Sequence, residues 1–378
     1  MVNNMLFDEL LLKLPSTDLW GYLTKADKPI VMYGMGNGAD KIIKVCDRFG
    51  IVISDFFASN GFVRGHSFHG KTVLSYSQIC DKYGNGNFIV LLSFASSLPD
   101  VISNIKRIAG ENELYAPDVP VTGDELFDLS FFQSRIDLFR AAYDMLADDE
   151  SRRIFCNVIL YKLTGNIDFL FDAESDVDDV FQEVLKPSQY KTYADLGAYN
   201  GDTIRQLLGY TDTVKHVIAF EPDRRSFRKL TEYASGEDRC NISTYQIAAW
   251  DKQEQLYFDA GGNRNSNVQS NTAFQAPAVK QVEIAGDSLD RLAFKCGLEA
   301  IDYIKYDVEG SEEQALIGSA ETIKKFSPDV LISLYHRSED LYALPFLFDR
   351  IANGKYKYYL RRFRYIPAWD LNLYCISD

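Results

Sequence analysis

The sequence predicts an α/β protein in which two parallel-sheet units are joined by a helical bridge. Three observations carry that prediction. An apolar strand, a glycine-rich turn and an amphipathic helix follow one another twice. Each helix leads into a second apolar strand, and residues 125–185 between the two copies place apolar side chains at helical spacing.

Taken in order, the opening stretch MVNNMLFDELLLKLPSTDLW carries Asp8 and Glu9 inside its apolar run and has no basic leader. It reads as a short amphipathic helix rather than a signal peptide. The first unit is KPIVMYGMGNGADKIIKVCDRFGIVISDFFASN, with Gly34, Gly36 and Gly38 in its turn and a second strand expected to end at Asp55. A lone GxGxG is weak evidence for a nucleotide, so a small nucleotide-holding module and a bare scaffold both stay open. In HSFHG, His66 and His69 have no acid or cysteine beside them in sequence and read as loop. The loop-like stretches ENELYAPDVPVTGDE and AESDVDD flank the bridge, in which Ile136, Phe139, Tyr143 and Leu146 mark one helical face. The expected division is residues 1–120, a helical connector over 121–185, and a second α/β domain over 186–378.

Composition excludes several function classes. The chain has 378 residues, 54 acidic against 40 Lys and Arg, and a net charge of -14. That balance argues against nucleic acid as a partner, since phosphate binding relies on clustered cations. No apolar run reaches the length of a membrane span. Cys46, Cys80, Cys156, Cys240, Cys296 and Cys375 are scattered without CxxC pairing, as expected of reduced thiols in a cytoplasmic protein.

The second unit, KTYADLGAYNGDTIRQLLGYTDTVKHVIAFEPD, says more. Asp195, Gly197 and Gly201 form an Asp-x-Gly-x-x-x-Gly turn, and Asp202 is placed to cap the next helix. Glu221 ends the following strand 24 positions after Gly197, about where an acid meets a ribose diol. A nucleoside cofactor fits both features. Asp195, Asp202, Glu221, Asp251, Asp307 and Glu309 would crowd the crevice with negative charge, which suits a cation better than a pyrophosphate. S-adenosylmethionine has a sulfonium, an ammonium and a ribose, and no phosphate.

Further on, IDYIKYDVEGSEEQAL places Asp307 and Glu309 at the end of an apolar run, sharing one strand face with Lys305 and Tyr303 behind them. Ser311 with Gln314 three residues later reads as a capping box. The acids therefore fall at a strand's C-terminal end, where ligands bind in open α/β sheets.

YADLGAYNGDTI, VIAFEPD, IAAWD, GDSLDRL, IDYIKYDVEGSEEQALIGSAETI and PDVLISLYHRSEDLYALP, in this order, resemble the FkbM family of S-adenosylmethionine-dependent methyltransferases over residues 186–378. The resemblance implies a Rossmann-like methyltransferase domain, preceded here by a smaller Rossmann-like α/β module and the connector. It implies methyl transfer to oxygen, often on sugars in glycan or natural-product pathways. Carried over, Asp195, Gly197, Ala198 and Gly201 would line the methionine end, with Asp202 beside them. Glu221 and Pro222 would meet the ribose, Ala249 to Asp251 the adenine, and Asp307 and Glu309 the sulfonium and acceptor. Where family members close on a Glu-Thr pair, this chain has YIPAWDLNLY.

A sugar hydroxyl needs its proton taken as the methyl arrives. His336 in SLYHRSED is the favoured base and Asp307 the second choice. Mg2+ on Asp287, Asp307 and Glu309 is an alternative, although no metal site is assigned. KYKYYLRRFRY reads as an edge strand, or else Arg361, Arg362 and Arg364 meet an anionic acceptor such as a nucleotide sugar. The acceptor is expected to be a small molecule or glycan, and a homodimer is possible. Two other classes stay open: a dinucleotide-dependent sugar oxidoreductase using the first unit, and a non-catalytic nucleotide-binding protein. No tyrosine has a lysine four residues later, so the short-chain reductase dyad is absent.

Overall fold

The computed structural model describes residues 3–59, 65–259, 268–269 and 281–377. The first unit builds a six-stranded sheet from β1 (Ile30–Tyr33), β2 (Ile53–Ala58), β3 (Ser67–Phe68), β4 (Lys71–Ser75), β5 (Ile89–Leu92) and β6 (Glu113–Tyr115), in the order β3-β4-β2-β1-β5-β6. All pairs are parallel except the short β3–β4 pair. β1 and β5 are buried along their whole length, as a parallel sheet covered on both faces requires. Asp55 does not end β2 as expected. The strand runs on through Phe56, Phe57 and Ala58, whose buried side chains pay for the extra length.

The second unit opens with β7 (Thr192–Leu196), the helix Asp202–Tyr210, β8 (His216–Phe220), the helix Arg224–Gly236 and β9 (Asn241–Tyr245). A small four-stranded sheet follows, made of β10 (Ala248–Ala249), β11 (Glu254–Asp259), β12 (Val268–Gln269) and β13 (Gln281–Asp287). The main sheet resumes with β14 (Tyr303–Tyr306) and β15 (Asp329–Ser333), and closes with β16 (Tyr356–Arg362) and β17 (Leu371–Ser377). Its order is β16-β17-β15-β14-β7-β8-β9, parallel from β15 to β9, with β17 antiparallel to both its neighbours.

Between the sheets run the helices Leu129–Ser134, Ile136–Met145 and Asp149–Thr164. The third is buried almost all round. Ile154, Phe155 and Ile159 join the core beneath β14 and β15, while Tyr161 joins the core around β1 and β5. The N-terminal helix, Asn3–Lys13, inserts Phe7 and Leu10 into the former. Among the described residues, no helix is long and apolar enough to cross a membrane, and no disulfide joins the cysteines.

Candidate active site

The second sheet reverses direction between β7 and β14, because the chain first winds outward through β8 and β9 and then returns to the other side. A crevice opens at the carboxyl ends of the strands at such a reversal. Here it is a cavity of ≈ 1090 Å³ whose wall includes Gly197, Tyr199, Glu221, Pro222, Ala249, Asp307, Glu309 and Tyr335. Ser97 of the first module also reaches it.

Gly197 has φ 85°, and a Cβ there would lie 1.9 Å from the carbonyl oxygen of Asp307. Only glycine lets the β7 and β14 loops touch backbone to backbone. Just beyond, the Tyr199 amide donates to Glu221 Oε2 at 2.9 Å and the Asp223 amide to Oε1 at 2.7 Å. Glu221 is 7% exposed, and its burial pushes the carboxyl pKa up to about 8 against those two hydrogen bonds. Asp202 does not cap its helix. Left-handed Gly201, φ 82°, takes the cap position without a side-chain bond, so Asp202 enters the first turn and accepts from the Thr203 amide. From there it lines the cavity.

Beneath the loops lies a buried ionic core that the sequence reading left without a role. Lys305 Nζ is 3.3 Å from Asp195 Oδ1 and 3.6 Å from Asp307 Oδ2, and it donates to the Gly197 carbonyl at 3.2 Å. Asp195 is fully buried and also accepts from Thr203 Oγ1 at 2.5 Å. Burial alone would lower the lysine's pKa, but Asp195, Asp307 and Asp202 outweigh it and keep the ammonium charged. Asp195 thus fixes the lysine and the turn, and Asp307 is the acid that reaches the cavity, with 29% of its side chain exposed. Burial acts to raise the Asp307 pKa, yet Lys305 and His336 together hold it below the usual carboxylate range.

The acid turn departs from the expected strand. β14 stops at Tyr306, and Glu309 has φ 55° and Gly310 φ 95°, so Asp307 and Glu309 are not two rungs of one strand. The turn brings them together differently: their carboxylates lie 3.6 Å and 3.5 Å from His336 Nε2. The expected capping box is absent, because Ser311 is not extended at the helix start. Its hydroxyl donates to the Val308 carbonyl instead, and Glu312 accepts from the Val308 amide. Thr122, from the segment after β6, donates its hydroxyl to the Glu309 carbonyl at 3.0 Å and fills the space where a Cβ on Gly310 would stand.

His336 is fully buried and does not line the cavity. Burial alone would lower its pKa, but Glu312, Glu309 and Asp307 raise it to about 10. An imidazolium so held has no free nitrogen with which to take a proton, so the favoured base is displaced by its own surroundings.

The three arginines also lie elsewhere. Arg361 is buried and pairs with Asp148 and Glu150 of the connector. Arg362 is 1% exposed and donates to the Leu170 and Tyr365 carbonyls. Arg364 pairs with Glu174. β16 is an edge strand, and its cations clamp that edge to the connector rather than facing an acceptor. Sequence alternation could not show this, because the partners lie about 200 residues away.

Ala198 and Gly201 stand behind the cavity wall, the first in the core and the second against the Tyr233 ring. Ala249 lines the cavity, whereas Asp251 does not. The Mg2+ set is not assembled, since Asp287 is taken up by the Arg291 guanidinium. In the first module, Asp55 is bound by Lys82 and Tyr83. Gly34 and Gly38 make room for Ser93 and Phe94. His69 meets Asp40 at 2.7 Å, a partner distant in sequence.

Residues 195–359 match the family described as the methyltransferase FkbM domain. The chain carries an FkbM methyltransferase domain. The crystal structure of methyltransferase FkbM from Methylobacillus flagellatus KT superposes with a TM-score of 0.70 over 99% of this chain and 98% of that one, at 19% identity. At that identity the likeness shows the fold, in this case of both modules and the connector. Fibrillarin from Aeropyrum pernix with natively bound S-adenosyl-L-methionine covers 50% of this chain and 67% of its own, with a TM-score of 0.30 and 11% identity, too slight a likeness to argue from. No curated protein matches the chain. The FkbM domain thus contains the glycine turn, Glu221, the Lys305 core and the acid turn.

Proposed function

We propose that the FkbM domain binds S-adenosylmethionine in the switch-point cavity and transfers its methyl group to a hydroxyl oxygen, most simply one on a sugar. The observation that carries this reading is Glu221, whose carboxylate is held at the cavity by the Tyr199 and Asp223 amides next to a glycine turn with no room for a side chain. Two backbone donors orient the carboxyl group, and a ribose diol that donates to its remaining lone pairs would favour the ionised form on binding. The cavity wall fits a cation. Its acids, Asp202, Glu221, Asp223, Asp307, Glu309 and Asp370, outnumber its cations, Arg205, Arg225, Lys229 and Lys305, and Lys305 is already engaged by Asp195 and Gly197. When bound, the cofactor supplies a methyl group made electrophilic by its sulfonium.

The chain's part is to hold the acceptor oxygen in line and receive its proton. Asp307, ionised and opening onto the cavity, is the carboxylate placed to accept that hydrogen bond, with Tyr335 donating to its Oδ1 at 2.9 Å. A weak base suffices, because the hydroxyl becomes strongly acidic as its oxygen gains a third substituent and positive charge, and loss of its proton leaves the neutral ether. Tyr335 and Tyr365 line the cavity and both stack on Trp369, an aromatic platform suited to a sugar ring. Arg361, Arg362 and Arg364 are engaged within the protein and are not placed to meet an anionic acceptor.

Calorimetry with S-adenosylhomocysteine and with NAD+ tests the reading. The expected result is saturable binding of S-adenosylhomocysteine and none of NAD+. The reverse would favour a dinucleotide-dependent oxidoreductase and end the proposal.

A further inference from the structure

The switch-point cavity does not end at the carboxyl ends of the strands. It continues over one face of the sheet, where Tyr303 and Lys305 of β14, Leu331 of β15, and Tyr374 and Asn372 of β17 form its floor. The register puts Lys305 opposite Leu331 and Leu331 opposite Tyr374, with Asn372 opposite Ser333 at the end of β15. Tyr303 is 4% exposed and Tyr374 1%, yet neither phenol has a hydrogen-bond partner among the described residues. A buried tyrosine ordinarily finds a partner for its hydroxyl, and an unmade bond costs free energy. Both hydroxyls stay within reach of the cavity, so a ligand there can supply what the protein does not. Asn372 adds a third such group. It is buried, and its Nδ2 reaches only the Asp370 carbonyl, at 3.4 Å, which leaves a second amide N–H to be satisfied.

Resting on the methyltransferase reading above, we propose that this floor is the acceptor subsite. A pyranose lies over β14, β15 and β17, its ring hydroxyls bonded by the phenols of Tyr303 and Tyr374 and the amide of Asn372, and its reacting hydroxyl at Asp307. Strands spaced about 4.8 Å apart put β17 about 10 Å from β14, so the polar groups face one another across a gap that a single six-membered ring bridges. The chemistry of the floor is that of a polyol. Phenols and a carboxamide donate and accept as sugar hydroxyls do, whereas an apolar ring would leave all three groups unpaired. Phe363 and Tyr365, from the loop between β16 and β17, form a wall of the same cavity. That loop is held by the first module: Ile366 and Ala368 are buried in the core around β1 and β5, and Ile366 exchanges two backbone hydrogen bonds with Ser96, at 2.9 and 3.0 Å. Ser97, the next residue, reaches the cavity itself. The first module thus sets one wall of the subsite, a duty that its glycine turn does not supply.

Saturation-transfer NMR titrations of the full-length protein, loaded with S-adenosylhomocysteine, with the methyl glycosides of glucose, galactose, mannose, fucose and rhamnose test the subsite. Saturable binding of at least one glycoside is expected, weakened about threefold to tenfold in Tyr303→Phe and in Tyr374→Phe. S-adenosylhomocysteine affinity, measured by calorimetry, should stay that of the parent, and the urea unfolding midpoint should not fall, because each substitution removes only an unbonded hydroxyl. A merely structural role would not separate sugar affinity from stability. Tyr359→Phe, which pairs with Tyr374 from β16 but lies outside the cavity, should leave sugar affinity unchanged. If S-adenosylhomocysteine affinity falls in Tyr303→Phe and Tyr374→Phe, the floor holds the methionine end of the cofactor and the proposal is overturned. Absence of glycoside binding by the loaded parent, or equal glycoside affinity in the parent and both variants, also overturns it, while S-adenosylhomocysteine binding by the parent retains the methyltransferase reading. A parent that does not bind S-adenosylhomocysteine ends both.

Discussion

The two glycine-turn units share one grammar in sequence and differ in what they do with it. In the first, Gly34 and Gly38 give space to Ser93 and Phe94 of the neighbouring strand end. Its acid, Asp55, lies within β2, clamped by Lys82 and Tyr83. In the second, Gly197 gives space to the backbone of the facing loop, and its acid, Glu221, stands one residue beyond β8 and lines the cavity. A glycine turn with an acid downstream becomes a site only when the acid clears the strand end and its hydrogen bonds come from backbone amides that leave one edge open. Where side-chain cations consume the acid, the same pattern is scaffold.

The largest effect expected from breaking this contrast is at Gly197. Gly197→Ala drives a Cβ into the Asp307 carbonyl from a left-handed backbone, and should cost about 3 kcal/mol or more in urea unfolding. Gly36→Ala also strains a positive-φ backbone but meets open space, so strain without a clash, about 1–3 kcal/mol and less than at Gly197, is expected there. Equal losses at the two positions would mean that the loop contact at Gly197 is unimportant.

Next come the two acids. Glu221→Gln exchanges one acceptor oxygen for a donor, and should weaken S-adenosylhomocysteine binding by about tenfold or more with the fold intact. Asp55→Asn should leave that binding unchanged and lower stability by about 1 kcal/mol. Calorimetry and thermal unfolding on both variants distinguish a ligand-facing acid from a structural one. A binding loss in Asp55→Asn would make the first unit part of the site.

The remaining contrast is a slope with pH and not a single loss. The Glu221 carboxyl has a pKa of about 8 when folded, against 4.5 as the ordinary value. Between those values the folded chain holds a proton that the unfolded chain has released, so this group makes stability fall as pH rises through the window, by at most about 1.4 kcal/mol per pH unit. The Glu221→Gln protein should show a flatter stability profile from pH 5 to pH 8 than the parent. Parallel profiles would place the Glu221 pKa near its ordinary value.

These contrasts also mark how far the sequence could be read. Strand, turn and helix periodicity placed both sheets and the connector, since burial on alternating or helical faces leaves its trace in local order. Glu221 could be placed beside the glycine turn for the same reason, since its backbone donors Tyr199 and Asp223 lie within one βαβ unit, whereas Gly197 was legible only as a turn glycine and not as the point where the Asp307 loop closes in. Lys305, Glu312, Tyr335 and Thr122 were not, because each acquires its meaning from a partner on another element. Arg361 and Arg362 looked like a basic surface until Asp148, Glu150 and the Leu170 carbonyl were brought against them. Glu312 and Glu313 are indistinguishable in sequence, yet the first is 1% exposed beneath His336. His336 was read from its ordinary titration, and three distant acids change that chemistry.

Thr122 ties the acid turn to a segment 187 positions earlier in the chain, and Ser96 pairs with Ile366 across a still longer span. The carboxylate wall is therefore not built by its own sheet alone: the Glu309–Gly310 turn takes its shape partly from a hydroxyl that the segment after β6 brings to it, so a change in that distant segment can alter the reaction site without touching any residue of the β14 loop.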